Sequence, residues 1–244
     1  MKNGENVIQV SRLSKKYGGF LAADNVSFNV GKGEICGLIG RNGAGKTTIM
    51  KMLLNMVKPT SGDIVILGKN MADGLSEERS QIGSIIETPE FYDSLTAYEN
   101  IKIRGLMIGH SEKEELLAAL KEVNLDAQKD KKVKKYSLGM RQKLGIACAL
   151  LGDPKILILD EPINGLDPIA IREVRQVLEN VVKKRNTTIL ISSHILGEMS
   201  KIASKYIFID KGKVIKQIAA SEINGKDKEL EDYFVSLVGG DSVD

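Results

Sequence analysis

Hydrophobic positions along the chain keep a two-residue period in some stretches and a helical period in others, and the two kinds alternate. Residues 7–10 and 25–30 read as strands of an antiparallel sheet, with Lys15-Lys16-Tyr17-Gly18-Gly19-Phe20 between them as a polar turn. Residues 34–39 form a short apolar run that reads as a buried strand, and residues 48–56 are apolar at roughly helical spacing. Lys58-Pro59-Thr60-Ser61-Gly62 stops that helix, and residues 63–68 read as a strand ending in a turn. Residues 82–86 are a further strand, broken by Glu87-Thr88-Pro89-Glu90. From about residue 94 to 151 the spacing turns helical and strand signals vanish; the last part is an amphipathic helix with Ser137 as its N-cap. Four consecutive apolar residues at 156–159 then mark a parallel strand buried on both faces. Asp167 before Pro168 reads as the cap of a helix over 169–184, with Ile171, Val174, Val177, Leu178 and Val181 on one face. A strand at 187–193 ends in His194, and residues 206–215 look like a hairpin around Lys211-Gly212. The tail from Gly225 is charged, with one amphipathic piece near Leu230, Tyr233, Phe234 and Leu237.

This order implies an α/β fold with an antiparallel β subdomain and an inserted helical subdomain. The core is expected over about 1–87 and 152–230, the helical insertion over about 88–151, and a C-terminal tail over 231–244. Of the 244 residues, 42% are hydrophobic and 27% charged, the balance of an ordinary globular chain with room for a sizeable core. The net charge of +3 is too weak to argue for nucleic acid, and the basic run at 129–135 is broken by Asp130 and Val133. Cys36 and Cys148 are scattered as buried thiols are, without the spacing of a disulfide framework or a metal site. No apolar run approaches the ~18–20 residues of a bilayer span, and residues 1–6 lack a signal-peptide core. The expectation is a cytoplasmic protein whose membrane role, if it has one, comes through a partner.

The chemistry starts at Gly40-Arg41-Asn42-Gly43-Ala44-Gly45-Lys46-Thr47-Thr48, which matches G-x-x-x-x-G-K-[ST] at every fixed position between a strand and a helix. Such a loop makes a nest of backbone N–H groups at the positive end of a helix, and so binds a nucleoside triphosphate. Lys46 would reach the β- and γ-phosphates and the Thr47 hydroxyl would ligate Mg²⁺. Asp160 and Glu161 end the apolar strand at 156–159, at the sheet edge where α/β sites lie. Asp160 is placed to bind Mg²⁺ and Glu161 to polarise an attacking water. Other positions are open on residues alone. Tyr17 is a base-stacking ring or a half-buried strand residue, Ser137 and Gly139 a second anion site or an ordinary capped helix, Asp167 a simple cap, and His194 a structural histidine.

Together these stretches resemble the ATP-binding subunit of an ABC transporter over nearly the whole chain, with a P-loop NTPase (RecA-like) core. The resemblance places Tyr17 as the adenine-stacking aromatic and Ser137-Leu138-Gly139-Met140-Arg141-Gln142 at the family signature, normally L-S-G-G-Q. It makes residues 156–162 the Walker B strand, Asn164 to Asp167 the D-loop and His194 the switch histidine. It implies ATP and Mg²⁺ as ligands, and a head-to-tail pair of chains, expected as a homodimer, in which Ser137 and Gly139 of one chain bind the γ-phosphate held by the other. Glu161 and His194 would be catalytic, and Thr47, Asp160 and Glu87 would hold the metal. Asp167 would report to the second site, and permease subunits in the membrane would dock on the helical insertion and contact the transported peptide. Leu138 and Met140 depart from the signature's usual glycine and glutamine. Glu87 stands where most members carry glutamine; a carboxylate is a charged acceptor only, which implies tighter metal binding and altered coupling. These departures are similar to those of the lantibiotic-immunity and bacitracin-resistance exporters, so the resemblance implies an ATPase on the inner face of the cell membrane that powers export of peptide antibiotics.

Overall fold

A computed structural model describes residues 5–73, 78–223 and 227–239. The chain opens with β1 (Asn6–Tyr17), β2 (Phe20–Gly31) and β3 (Ile35–Ile39), followed by α1 (Lys46–Leu53), β4 (Ser61–Ile66), β5 (Lys69–Asn70) and β6 (Ile82–Ile85). Three helices come next, α2 (Ala97–Ile108), α3 (Lys113–Glu122) and α4 (Leu138–Leu150). The chain closes with β7 (Ile156–Leu159), α5 (Pro168–Arg185), β8 (Thr188–Ser193), α6 (Leu196–Met199), β9 (Lys205–Asp210), β10 (Lys213–Ala219) and α7 (Asp227–Val238). Two sheets organise these elements. One is antiparallel, in the order β2-β1-β4-β5; the other runs β10-β9-β3-β8-β7-β6, parallel from β9 to β6 with β10 antiparallel at its edge.

The inner strands β3 and β7 are apolar throughout, as is β8 from Ile189 to Ile191, because each face of the sheet is covered there. Alternate residues separate cleanly by the two-residue strand period. Ile39, Leu157, Leu159, Ile189, Ile191 and Phe208 face the helices α2 to α5 and α7. Cys36, Leu38, Ile156, Ile158, Leu190 and Ile207 face α1 and the antiparallel sheet. α1 is thus held between the two sheets, with Ile49, Met50, Met52 and Leu53 fully buried. This fixes the phosphate loop, which leads from β3 into α1, against a rigid backing.

Several local expectations shift. The polar turn expected over Lys15 to Phe20 shrinks to Gly18 and Gly19, because Lys16 and Tyr17 pair with Leu21 and Phe20 and carry the hairpin to its tip. The helix expected to reach residue 56 ends at Leu53, where the N–H of Met56 turns back to the Lys51 carbonyl. Residues 205–219 do form a hairpin, but β9 also pairs in parallel with β3 and so belongs to the central sheet. Helix α7 crosses residue 230, where the tail was expected to begin. Its Leu230 and Phe234 are buried, and Phe234 stacks on Phe208 with ring centroids 5.8 Å apart. Burying each contributes on the order of 1.5–3 kcal/mol. The charged tail residues at 225–226 and 240–244 lie outside the described residues.

Candidate functional site

The loop after β3 closes on itself before any ligand is considered. Ala44 N–H donates to the Arg41 carbonyl at 3.1 Å, and α1 begins at Lys46 with no acidic residue in its first turn. Its positive end is therefore uncompensated and available to an anion. Gly45 has φ +102°, and a Cβ there would stand 2.3 Å from the Ala22 carbonyl oxygen, so the tight passage from loop to helix excludes any side chain. A cavity of about 300 Å³ lies over this turn, lined by Asn42, Gly43, Ala44, Gly45, Lys46, Thr47 and Thr48, with Glu161 on one side and Phe20 and Ala22 on another. Gly40 and Arg41 sit behind it and give their carbonyls to Lys46 Nζ at 2.8 and 3.3 Å.

The two acids after β7 have different surroundings. Asp160 is 5% exposed and takes two short hydrogen bonds, from Thr47 Oγ1 to Oδ2 at 2.6 Å and from Ser192 Oγ to Oδ1 at 2.5 Å. Glu161 holds a left-handed backbone, φ +48°, and its N–H donates to the same Ser192 hydroxyl at 2.8 Å. That backbone turns its side chain toward the loop. Lys46 Nζ lies 3.1 Å from Oε1, an ion-pair contact without hydrogen-bond alignment, so Oε1 is buried and accepts no hydrogen bond. His194 Nδ1 lies 2.9 Å from Oε2; a carboxylate can only accept, so Nδ1 carries the shared proton. Lys46, Glu161 and His194 form one continuous chain from the loop to the end of β8.

The donors here suit a magnesium ion. Thr47 and Asp160 bring a hydroxyl and a buried carboxylate to one point, at the edge of the phosphate-loop cavity. A hard cation that keeps waters and takes phosphate oxygens from its ligand fits so sparse a protein set.

The remaining residues singled out in the sequence stand apart from this cavity. Glu87 follows β6 with φ +65°, its side chain 66% exposed and paired with Lys51 Nζ at 2.6 Å. Tyr17 is at the hairpin tip with Lys15 Nζ 4.9 Å from its ring centre; Phe20, its strand partner, lines the cavity and Tyr17 does not. Ser137 caps α4 by accepting from Met140 N–H at 3.2 Å, and Asp167 caps α5 by accepting from the N–H groups of Ile169 and Ala170, both at 2.9 Å. These two helix starts are neighbours. A Cβ on Gly139 would come 2.7 Å from Ala170 Cβ, and one on Gly165 would meet Leu138 Cδ2 at 3.5 Å. Lys143 of α4 pairs with Glu173 of α5 at 2.7 Å.

Ser192, Phe20 and Lys51 escaped the sequence reading. Ser192 left a weak trace, one of the buried hydroxyls of β8 with Thr188 and Ser193, and a fully buried polar group needs partners. Phe20 and Lys51 left none, since each depends on which element packs beside it. Neither thiol is poised for chemistry: burial pushes Cys36 well up and Cys148 up to about 12. Cys148 lies in a second cavity of about 350 Å³ between β6, α2 and α4, whose rim carries the exposed Tyr92 and Met107.

Comparison with known proteins gives consistent matches. Residues 23–164 match the family described as ABC transporter. The chain is 44% identical over 230 residues to a bacitracin transport ATP-binding protein of Bacillus licheniformis, covering 94% of this chain and 75% of that one. It is 44% identical over 228 residues to a lantibiotic transport ATP-binding protein of Streptococcus pyogenes, covering 93% of this chain and 96% of the relative. Among solved structures, an ATP binding subunit of an ABC transporter is similar at a TM-score of 0.80 and 32% identity, over 94% of this chain and 99% of that one.

Proposed function

This chain belongs to the ABC transporter family, and we propose that it is the ATP-hydrolysing subunit of an exporter of peptide antibiotics. The observation that supports the hydrolytic part is the chain Lys46–Glu161–His194, buried at its lysine end and open to solvent at His194, in which Glu161 Oε1 has no hydrogen bond of its own. Lys46 Nζ is held by its own loop and by Glu161. When phosphate oxygens enter the nest they compete for that ammonium, and charge-assisted bonds to phosphate favour the exchange. Glu161 Oε1 is then left to accept a proton from water, while His194 keeps Oε2 and so fixes the plane of the carboxylate. Ser192 ties the backbone of Glu161 to the carboxylate of Asp160, so base and metal-side acid keep their spacing. Thr47 and Asp160, with Glu87 from the neighbouring strand, would hold Mg²⁺, which neutralises charge on the phosphate oxygens during transfer.

Ser137 and Gly139 lie outside the lining of this cavity. We assign them to the γ-phosphate of a second copy packed head to tail, with Asp167 at the same edge, and Tyr17 beside Phe20 to the adenine ring. The groove with Tyr92 and Met107 on its rim is the docking place for a permease subunit. Through that subunit we assign the chain to the inner face of the membrane; among the described residues no helix is long and apolar enough to cross a bilayer. Export of a peptide antibiotic is supported by the two transport relatives and by Glu87, with the peptide contacted by the permease.

Replacing Glu161 by Gln tests the reading. The variant should bind ATP, stop turning over and accumulate as a dimer by light scattering. Turnover at the normal rate would remove Glu161 as the base. Co-purification of the chain with ribosomes or nucleic acid, and with no membrane protein, would overturn the exporter assignment.

A further inference from the structure

Glu87 and Asp160 leave neighbouring strands at the same edge of the sheet: Ile85 is paired with Leu159, and Asp160 N–H donates to the Ile85 carbonyl at 2.8 Å. Asp160 is tied to Thr47, the second residue of α1. Lys51 is four residues further along α1, so it stands one turn beyond Thr47 on the same helix face. The structure shows the Glu87 carboxylate at Lys51, outside the lining of the cavity, in a contact of 2.6 Å between side chains 66% and 29% exposed. The Lys51 backbone is fixed, because its carbonyl takes the N–H groups of Met56 and Val57 at the end of α1.

We propose that Lys51 is a positioning residue for Glu87, holding that carboxylate off the metal-binding edge of the phosphate-loop cavity until nucleotide and a divalent cation draw it in. The proposal rests on the reading of Glu87 as a metal-side group. The ion pair is of the kind that can exchange. In water it contributes little, so a cation at Thr47 and Asp160 competes with the lysine for the same carboxylate. It also requires the acid: a neutral amide at position 87 would form no ion pair with Lys51. Segment 87–90 would thus take one of two positions, set by whether the carboxylate faces Lys51 or the metal.

The test is calorimetric titration of the full chain with a non-hydrolysable ATP analogue at a series of MgCl₂ concentrations. The readout is the Mg²⁺ concentration at the midpoint of the gain in nucleotide affinity. Lys51→Met should lower that midpoint about two- to fivefold, the range an exposed ion pair can account for. In the Glu87→Gln background the same substitution should leave it unmoved, and Lys51→Arg should behave as the unaltered chain does. A midpoint unmoved by Lys51→Met, or lowered equally in both backgrounds, overturns the proposal, the second result meaning that Lys51 acts through its charge alone. Failure of the unaltered chain to bind the analogue at any Mg²⁺ concentration would overturn the ATP-site reading itself, which binding with an unmoved midpoint would leave standing.

Discussion

Glu161 and Glu87 occupy matching places on adjacent parallel strands. Each follows its strand closely, each has a left-handed backbone, with φ of +48° and +65°, and each faces a lysine of α1. Their surroundings separate them. Glu161 is 20% exposed and held by Lys46, His194 and, through its backbone, Ser192, whereas the Glu87 side chain is 66% exposed and meets Lys51. Water screens the second pair and barely reaches the first. Breaking a buried pair by removing one partner costs about 3–5 kcal/mol, while an exposed pair is worth about 0–1 kcal/mol. One backbone device thus yields a fixed base where partners and burial surround it, and a movable group where solvent does.

Lys46→Ala should have the largest effect on this contrast. It removes the phosphate contact and strands Glu161, so nucleotide affinity measured by calorimetry should fall about 100-fold, the size of one to two lost charge-assisted bonds. Unchanged affinity would refute the assignment of the loop. Ser192→Ala comes next: it leaves Glu161 N–H and Asp160 Oδ1 short of a partner, at about 1–3 kcal/mol. A denaturant midpoint equal to that of the unaltered chain would mean that the strand end is not tied as described. Smallest in stability is Glu87→Gln, expected within about 0.5 kcal/mol as for exposed sites. It should alter antibiotic resistance in cells carrying the permease more than it alters basal ATPase of the purified chain. Equal loss of both would make Glu87 part of hydrolysis, erasing its difference from Glu161.

The parts legible in the sequence were those set by near neighbours. Lys46 and Thr47 follow a glycine loop, and Asp160 and Glu161 follow an apolar strand, so their positions follow from short spacing. The buried helix face through Val174, Val177, Leu178 and Val181 was equally plain, because period alone decides it. The β1–β2 hairpin was only half visible. Register shifts between Val10 and Leu13 and again near Lys15 disturb the alternation on which a strand reading depends, and the pairing runs on to Tyr17 regardless. Ser192 was hidden for another reason. Its partners follow β7, and only the insertion of β8 between β3 and β7 brings its hydroxyl to both Asp160 and Glu161.

The contact between Gly139 and Ala170 has a mechanical consequence. With no room for a methyl group between them, and with Lys143 fastened to Glu173 further along, the starts of α4 and α5 mesh like two teeth of a gear. A push on the start of either helix would therefore be felt by the other. A methyl at position 139 would act as a wedge in that mesh, pushing the starts of the two helices apart while the phosphate loop stays where β3 and α1 hold it.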